Sequence, residues 1–413
     1  MKSRQASEVI KRKHNSAFGR ILVLTGANQT GKTTLAKNLY PDYTYISIED
    51  PVTVNQYKQL TAQQWGNNFP VAIIDEIQKE PQLIESLKSV YDQYAEPRYI
   101  LLGSSQIMLL KKVKESLAGR VSIIELFPLT FPEMLTSSWN DDIVPSYFQR
   151  MLMGETPDAL PFLLDKKHAV KISVYEHHLK FGGYPAISDA NIPEEEKLDW
   201  LRNFVRTYLE RDIRDLAEFH NLEPFTKTQK LMAINTSQAI NNSKMAVEAG
   251  VSVKTVQRFI QYMVISYQLI MLNSWNRNKK KRLTKAPKVH FLDVGVSRAV
   301  LQKRGELNGR EFESAIVSEI YKQVKTSDAE ASMYHLRTAD GREIDLLIET
   351  EKGYCAIEIK QAFTVRQADE IHLRDIEEIL DKPVIKKFVL SNDLQIKELG
   401  YGITAMPVVQ FLT

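Results

Sequence analysis

Four groups of residues have types and spacings that could do chemistry. The first is Gly26-Ala27-Asn28-Gln29-Thr30-Gly31-Lys32-Thr33-Thr34, which fits G-x-x-x-x-G-K-[ST] between an apolar run and a helical stretch. Glycines let such a loop curl until successive N–H groups point at one phosphate, and the new helix adds its positive end. Lys32 would neutralise the outer phosphates and the Thr33 hydroxyl would ligate Mg²⁺, so the ligand implied is ATP with Mg²⁺. The second group is Asp75-Glu76, closing the run Val71–Ile74. Carboxylates at the carboxyl end of a parallel strand face the crevice of the phosphate loop. Asp75 would hold Mg²⁺ through water, and Glu76 would polarise a water for attack on the γ-phosphate. Ser104 and Ser105 end a further run, YILLGSSQ, as γ-phosphate sensors or as plain turn serines. Arg120 precedes another strand and could supply positive charge to a phosphoryl transition state, in cis or in trans, or serve only structure.

The third group lies in GREIDLLIETEKGYCAIEIKQA, residues 341–362. Two strand-like runs flank TEKG, and a turn centred on Glu351-Lys352 sets Asp345 opposite Glu358. Side chains alternate along a strand, so Glu358 and Lys360 share one face and Ile357 and Ile359 take the other. Carboxylates this close repel unless a cation lies between them; Mg²⁺ suits, with the lysine positioning a water. Glu313, near the start of an amphipathic helix, could add a carboxylate. The fourth group is basic. Thr255, Gln257 and Arg258 project from the second helix of a helix-turn-helix pattern with Ser252 as N-cap. Beyond YQLIMLNSW comes a run with no acid before Asp293: Arg277, Lys279, Lys280, Lys281, Arg282, Lys285 and Lys288. Two strands joined by a basic turn after a helix-turn-helix describe a winged helix, with Lys279, Lys280 and Lys281 either near a phosphate backbone or on a solvated tip.

The elements that must position these groups give an α/β, multidomain chain. Its 413 residues suit two to four domains, and 43% hydrophobic content suits ordinary cores. Residues 1–135 alternate strands and helices around a parallel sheet. Residues 136–225 are helical with breaks, including the turn FGGYP and an arginine-bearing amphipathic stretch. Residues 226–300 carry the winged helix-turn-helix, and 301–413 the hairpin domain. Net charge is only +3, which excludes a global field for nucleic acid and leaves local basic surface. The single cysteine, Cys355, excludes intrachain disulfides and suggests a reducing compartment. No apolar stretch approaches the ~20 residues needed to span a bilayer, and the basic N-terminus lacks the apolar core of a secretory signal. A cytoplasmic protein is expected.

The order GANQTGKTT, IIDEIQ, LLGSSQ, SLAGR, ELFPLTFPEM, FGGYP, YLERDI, FLDVG, EID…IEIK resembles a widespread family of bacterial and archaeal ATPases. Its members join an AAA-type ATPase core and helical lid to a winged helix and a C-terminal α/β restriction-endonuclease-like domain of unknown function. The resemblance covers nearly the whole chain. It implies ATP and Mg²⁺ as cofactors and an endonuclease-like site on Glu313, Asp345, Glu358 and Lys360. Gln361 also fits nucleases of that fold, where it touches phosphate or water. The expectation is an ATPase acting on DNA, with a possible homo-oligomer and no membrane. The alternative is a nucleotide-switched regulatory or assembly ATPase whose C-terminal domain binds without cleaving.

Overall fold

The structure, a computed structural model, describes residues 1–103, 117–155, 157, 160–209, 221–338 and 340–413, with the side chains of 208 and 209 left aside. Five strands form an all-parallel sheet: β1 (Ile21–Thr25), β2 (Thr44–Ser47), β3 (Val71–Asp75), β4 (Arg98–Gly103) and β5 (Val121–Glu125), in the order β2-β3-β4-β1-β5. Ile21, Leu22, Val23 and Ile73, Ile74 are sealed from water on both faces, which is why these strands read as unbroken apolar runs. Because every strand is parallel, the phosphate loop after β1 and Asp75 at the end of β3 open on the same edge. No helix among the described residues is long and apolar enough to cross a membrane.

Helices Asn242–Ala249 and Val253–Ile265 form the helix-turn-helix, with Gly250 left-handed at the turn (φ 72°) and the Ser252 side chain accepting from the Thr255 N–H. Strands β6 (Gln238–Ala239), β7 (Leu269–Ser274) and β8 (Lys288–Phe291) complete a winged-helix arrangement, β8 running antiparallel between β6 and β7. The C-terminal region adds β9 (Ser332–Arg337), β10 (Glu343–Glu349), β11 (Tyr354–Lys360), β12 (Val384–Ser391), β13 (Lys397–Glu398) and β14 (Ile403–Pro407). The two sheets are one. β7 pairs with β9 through Asn273↔Tyr334 and Ser274↔His335, giving nine strands in the order β13-β14-β12-β11-β10-β9-β7-β8-β6.

The described residues of the stretch expected as a lid, 136–225, contribute to two cores. Phe148, Phe162 and Tyr175 share a core with Phe312, Ile316, Phe388 and Phe411, whereas Phe181, Leu201 and Phe204 join Phe259, Met263 and Phe291 of the winged helix. Glu194–Phe204 is helical and runs into a single wide π turn, Val205–Leu209; of the four arginines of that stretch, Arg202 and Arg206 are described and Arg211 and Arg214 lie outside the described residues.

The segment ELFPLTFPEM is where all these bodies meet. Leu129 N–H donates to the Gly183 carbonyl at 2.7 Å, and the Leu129 carbonyl accepts from Lys322 Nζ at 3.0 Å. Phe131 N–H donates to Glu319 Oε1 at 2.7 Å, and Lys322 and Glu319 pair at 2.7 Å, both fully buried in helix Gly309–Thr326. FGGYP and FLDVG meet through Asp293, whose carboxylate accepts from the Gly183 and Val296 N–H groups. A Cβ on Gly182, which is left-handed at φ 79°, would strike Asp293 Oδ1 at 2.0 Å.

Candidate functional site

The phosphate loop leaves β1 at Gly26, whose φ of 148° and close approach to the Leu126 carbonyl (2.1 Å from an added Cβ) admit only glycine. Gln29 (φ 63°) and Gly31 (φ 89°) bend the loop before helix Lys32–Leu39 begins. Ala27, Thr30 and Lys32 are buried, Asn28 and Thr33 half-buried, Thr34 exposed. Lys32 Nζ donates to the Gly26 and Ala27 carbonyls at 3.0 and 2.8 Å, so its ammonium lies across the loop's own mouth. Thr33 Oγ1 donates to Asp75 Oδ2 at 2.7 Å, and the Tyr45 hydroxyl reaches the same oxygen at 3.0 Å. Hydroxyl and carboxylate converging on one point are the donor set that a nucleotide-bound Mg²⁺ requires, and they fit that ion.

Glu76 follows in a left-handed conformation (φ 55°), which turns it out of the strand direction. Gln78 Nε2 donates to its Oε2 at 2.5 Å. Burial first, and the neighbouring Asp75 second, raise its carboxyl above the ordinary range. A held carboxylate of raised basicity beside the phosphate loop suits proton acceptance from water. Ser104 and Ser105 lie outside the described residues.

Arg120 requires a correction. It stands before Val121, which pairs with the Ile21 end of β1, while the phosphate loop follows the Thr25 end. It is therefore at the opposite edge of the sheet, roughly 15 Å away along a five-residue strand. It pairs there with Asp92 at 2.7 Å, so it does not meet its own chain's nucleotide.

Arg4 and Tyr267 belong to no motif, yet both grip the loop. Arg4 is buried, donating to the Thr30 carbonyl at 2.9 Å and the Phe127 carbonyl at 2.5 Å, with Glu133 at 3.3 Å. Tyr267, left-handed at φ 60° between the second helix of the helix-turn-helix and β7, donates to Glu125 Oε1 at 3.0 Å and approaches Thr25 Oγ1 at 3.4 Å. Its ring packs edge-on against Phe127 and belongs with Ala27, Ile270, Leu292 and Tyr321 to one apolar cluster, so residues of the phosphate loop and of the winged helix share a core. A tyrosine amid apolar residues carries no periodic signal that would mark it.

In the C-terminal hairpin, Leu346↔Ile357, Leu347↔Ala356, Ile348↔Cys355 and Glu349↔Tyr354 pair as the Glu351-Lys352 turn dictates. Asp345 Oδ2 accepts from the Ile359 N–H at 2.9 Å, and Lys360 Nζ donates to Glu358 Oε1 at 2.7 Å. The β10–β9 register shifts between Ile344 and Leu347, at Asp345 itself. The hairpin is not amphipathic as expected: Tyr354 and Ala356 on the Glu358 side are as buried as Ile357 and Ile359. Gln361 Nε2 is spent on the Leu307 carbonyl at 2.6 Å.

Lys288 is a further correction. It does not lie on an exposed wing but is buried between the carboxylates, with Nζ 3.0 Å from Glu313 Oε1, 2.7 Å from Glu343 Oε1 and 3.6 Å from Asp345 Oδ1. Arg282 is likewise buried, paired with Glu349 and Asp381 over the Trp275 ring. Lys279, Lys280 and Lys281 are exposed but on a short helix, Lys279–Thr284, rather than a turn. Gln257 and Arg258 are exposed and Thr255 is half-buried. Burial, then Asp345, pushes Glu313 and Glu358 up to about 8. Burial also raises Asp345, against the nearby Lys288. An ammonium at the centre of these oxygens does not fit a divalent ion there, and among the described residues no group of three acidic, histidine or cysteine side chains is placed to hold a metal while Lys288 is seated.

The parallel sheet with its phosphate loop and Asp75-Glu76 pair defines an AAA-type phosphate-loop ATPase. Residues 19–135 match a family described as an AAA domain. Residues 172–307 and 308–411 match two domains of unknown function, DUF8612 and DUF4143. Over 356 residues the chain is 25% identical to an uncharacterized protein of Mycobacterium tuberculosis, covering 83% of this chain and 71% of that one. An uncharacterized protein of Methanocaldococcus jannaschii is 24% identical over 280 residues, 63% of this chain and 58% of the other. The structure is similar to that of a Walker-type ATPase of Pyrococcus abyssi, with TM-score 0.47 and 13% identity over 72% of this chain and 95% of that chain.

Proposed function

We propose that this ATPase is a Mg²⁺-dependent, ATP-hydrolysing cytoplasmic switch that acts on DNA, passing the state of its phosphate loop to the winged helix and the C-terminal sheet. One observation carries the reading: Ala27 of the loop and Tyr267 of the winged helix share an apolar cluster, and Tyr267 bonds to Glu125 beside the loop strand. Lys32 and the loop N–H groups bind the phosphates, Thr33 and Asp75 hold the ion, and Glu76 takes the water's proton. Mg²⁺ when bound neutralises charge on the β- and γ-oxygens. Lys32 must leave the Gly26 and Ala27 carbonyls to reach a phosphate, so binding rearranges the loop that Tyr267 leans on. Gln257, Arg258 and Lys279, Lys280, Lys281 are the exposed groups offered to DNA. Arg120 would serve only across an interface between copies.

The test measures ATP turnover with and without duplex, single-stranded and branched DNA, in wild type and Tyr267→Ala. Wild type should respond to at least one DNA, and Tyr267→Ala should bind ATP and DNA but lose the response. A chain that binds none of the three DNAs sinks the DNA reading; a Tyr267→Ala chain that responds as wild type does sinks the coupling. A second reading, cleavage at Asp345, Glu358 and Lys360, draws on the 2.7 Å Glu358–Lys360 contact and would require Lys288 to leave the carboxylates it now holds. Mg²⁺-dependent cleavage abolished by Asp345→Asn would establish it.

A further inference from the structure

Lys288 stands apart from every other lysine of the basic run. It is the first residue of β8, a strand buried along its whole length, and its side chain is only 4% exposed. Its nearest oxygens belong to three different carboxylates, Glu313 on helix Gly309–Thr326 and Glu343 and Asp345 on β10. Lys360 meanwhile holds Glu358. Oxygens about 2.1 Å from a shared Mg²⁺ would close on a point now held by an ammonium, and a dication beside that ammonium would be repelled.

We propose that Lys288 is the built-in cation of this acid cluster: the site is a latch that ties the winged-helix strand β8 to helix Gly309–Thr326 and β10, and it excludes divalent metal for as long as Lys288 is seated. The geometry gives the latch a purpose. β8 pairs with β7, and β7 pairs in parallel with β9 through two residues, so strand pairing joins the winged helix to the C-terminal sheet at Asn273 and Ser274. The Lys288 cluster adds a buried joint between the same two bodies, beside the Arg282 pairs with Glu349 and Asp381. An ammonium meeting three carboxylates from two elements adds charge-assisted contacts, which two ladder pairs do not supply. The chemistry is non-covalent, and neither nucleotide nor DNA takes part.

The experiment titrates the full chain, free of nucleotide, with MnCl₂ alone and follows heat of binding. Wild type should show no saturable site that depends on Asp345. Lys288→Met should gain one, at least about tenfold tighter than anything in wild type, and Lys288→Met with Asp345→Asn should lose it. Saturable Mn²⁺ binding in wild type that Asp345→Asn abolishes would overturn the latch and restore a metal centre. A folded Lys288→Met chain that gains no site would overturn it as well, because the lysine would then not be what excludes the ion. Should Lys288→Met fail to fold, the shift of the thermal midpoint with Mn²⁺ decides: it is the same in wild type and Asp345→Asn under a latch and larger in wild type under a metal centre, which would overturn the proposal. None of these readings depends on ATP turnover or DNA binding.

Discussion

Lys32 is the loop's cation, and Lys32→Ala should abolish ATP binding, read by fluorescence of a labelled nucleotide. Glu76→Gln keeps the shape and removes the proton acceptor. ATP should stay bound while hydrolysis falls at least about a hundredfold. Turnover at the wild-type rate would move the role to another group. His14 gives a prediction of another kind. It is sealed from water between the Gly19 carbonyl (2.8 Å) and the Tyr43 hydroxyl (2.9 Å), and burial, aided by Arg98, lowers it from 6.5 to about 4. A folded value below the unfolded one means its contribution is complete above pH 6.5 and is lost as pH falls toward 4, up to about 3 kcal/mol. Denaturant titrations at pH 7 and pH 4.5 should show a smaller stability difference in His14→Gln than in wild type. An equal difference would mean that other groups carry the acid sensitivity.

The elements divide into those that local pattern dictates and those it does not. Apolar runs of four or five residues ending in Gly or Asp marked β1 and β3, because a strand buried on both faces has no alternation to disguise it. The β10–β11 register was legible because a two-residue turn fixes every later pair. The basic run was legible as charge but not as geometry. Lys281 is exposed and Arg282 is buried, and Lys288 meets Asp345 at a distance of 57 residues, which no spacing rule encodes. Arg4, Tyr267 and Glu319 were hidden for the same reason: their partners are long-range and irregular. Lys279, Lys280 and Lys281 remain on the surface, so changing all three to Glu should weaken DNA binding. Each lost phosphate contact lowers the salt slope by about one. Unchanged affinity and slope would leave them as solvent-facing residues only.

At the scale of the whole molecule, the buried Glu319–Lys322 pair joins the ATPase segment around Leu129 to the C-terminal helix. Lys322→Met strands Glu319 in the interior and leaves the Leu129 carbonyl without its donor. The chain should lose about 3–5 kcal/mol, read by denaturant unfolding. If only the C-terminal region loosens in hydrogen exchange while the ATPase sheet keeps its protection, the pair is not a joint between bodies. The nine-stranded sheet makes a further demand. Adjacent strands lie about 4.8 Å apart, so β7 and β11 are separated by roughly 14 Å of hydrogen-bonded slab. Such a slab is stiff along its ladder and soft in twist. A push delivered at Tyr267, at the foot of β7, would have to cross three strand pairings to reach the Asp345–Glu358 hairpin, so coupling between the two halves would be carried as torsion of one sheet.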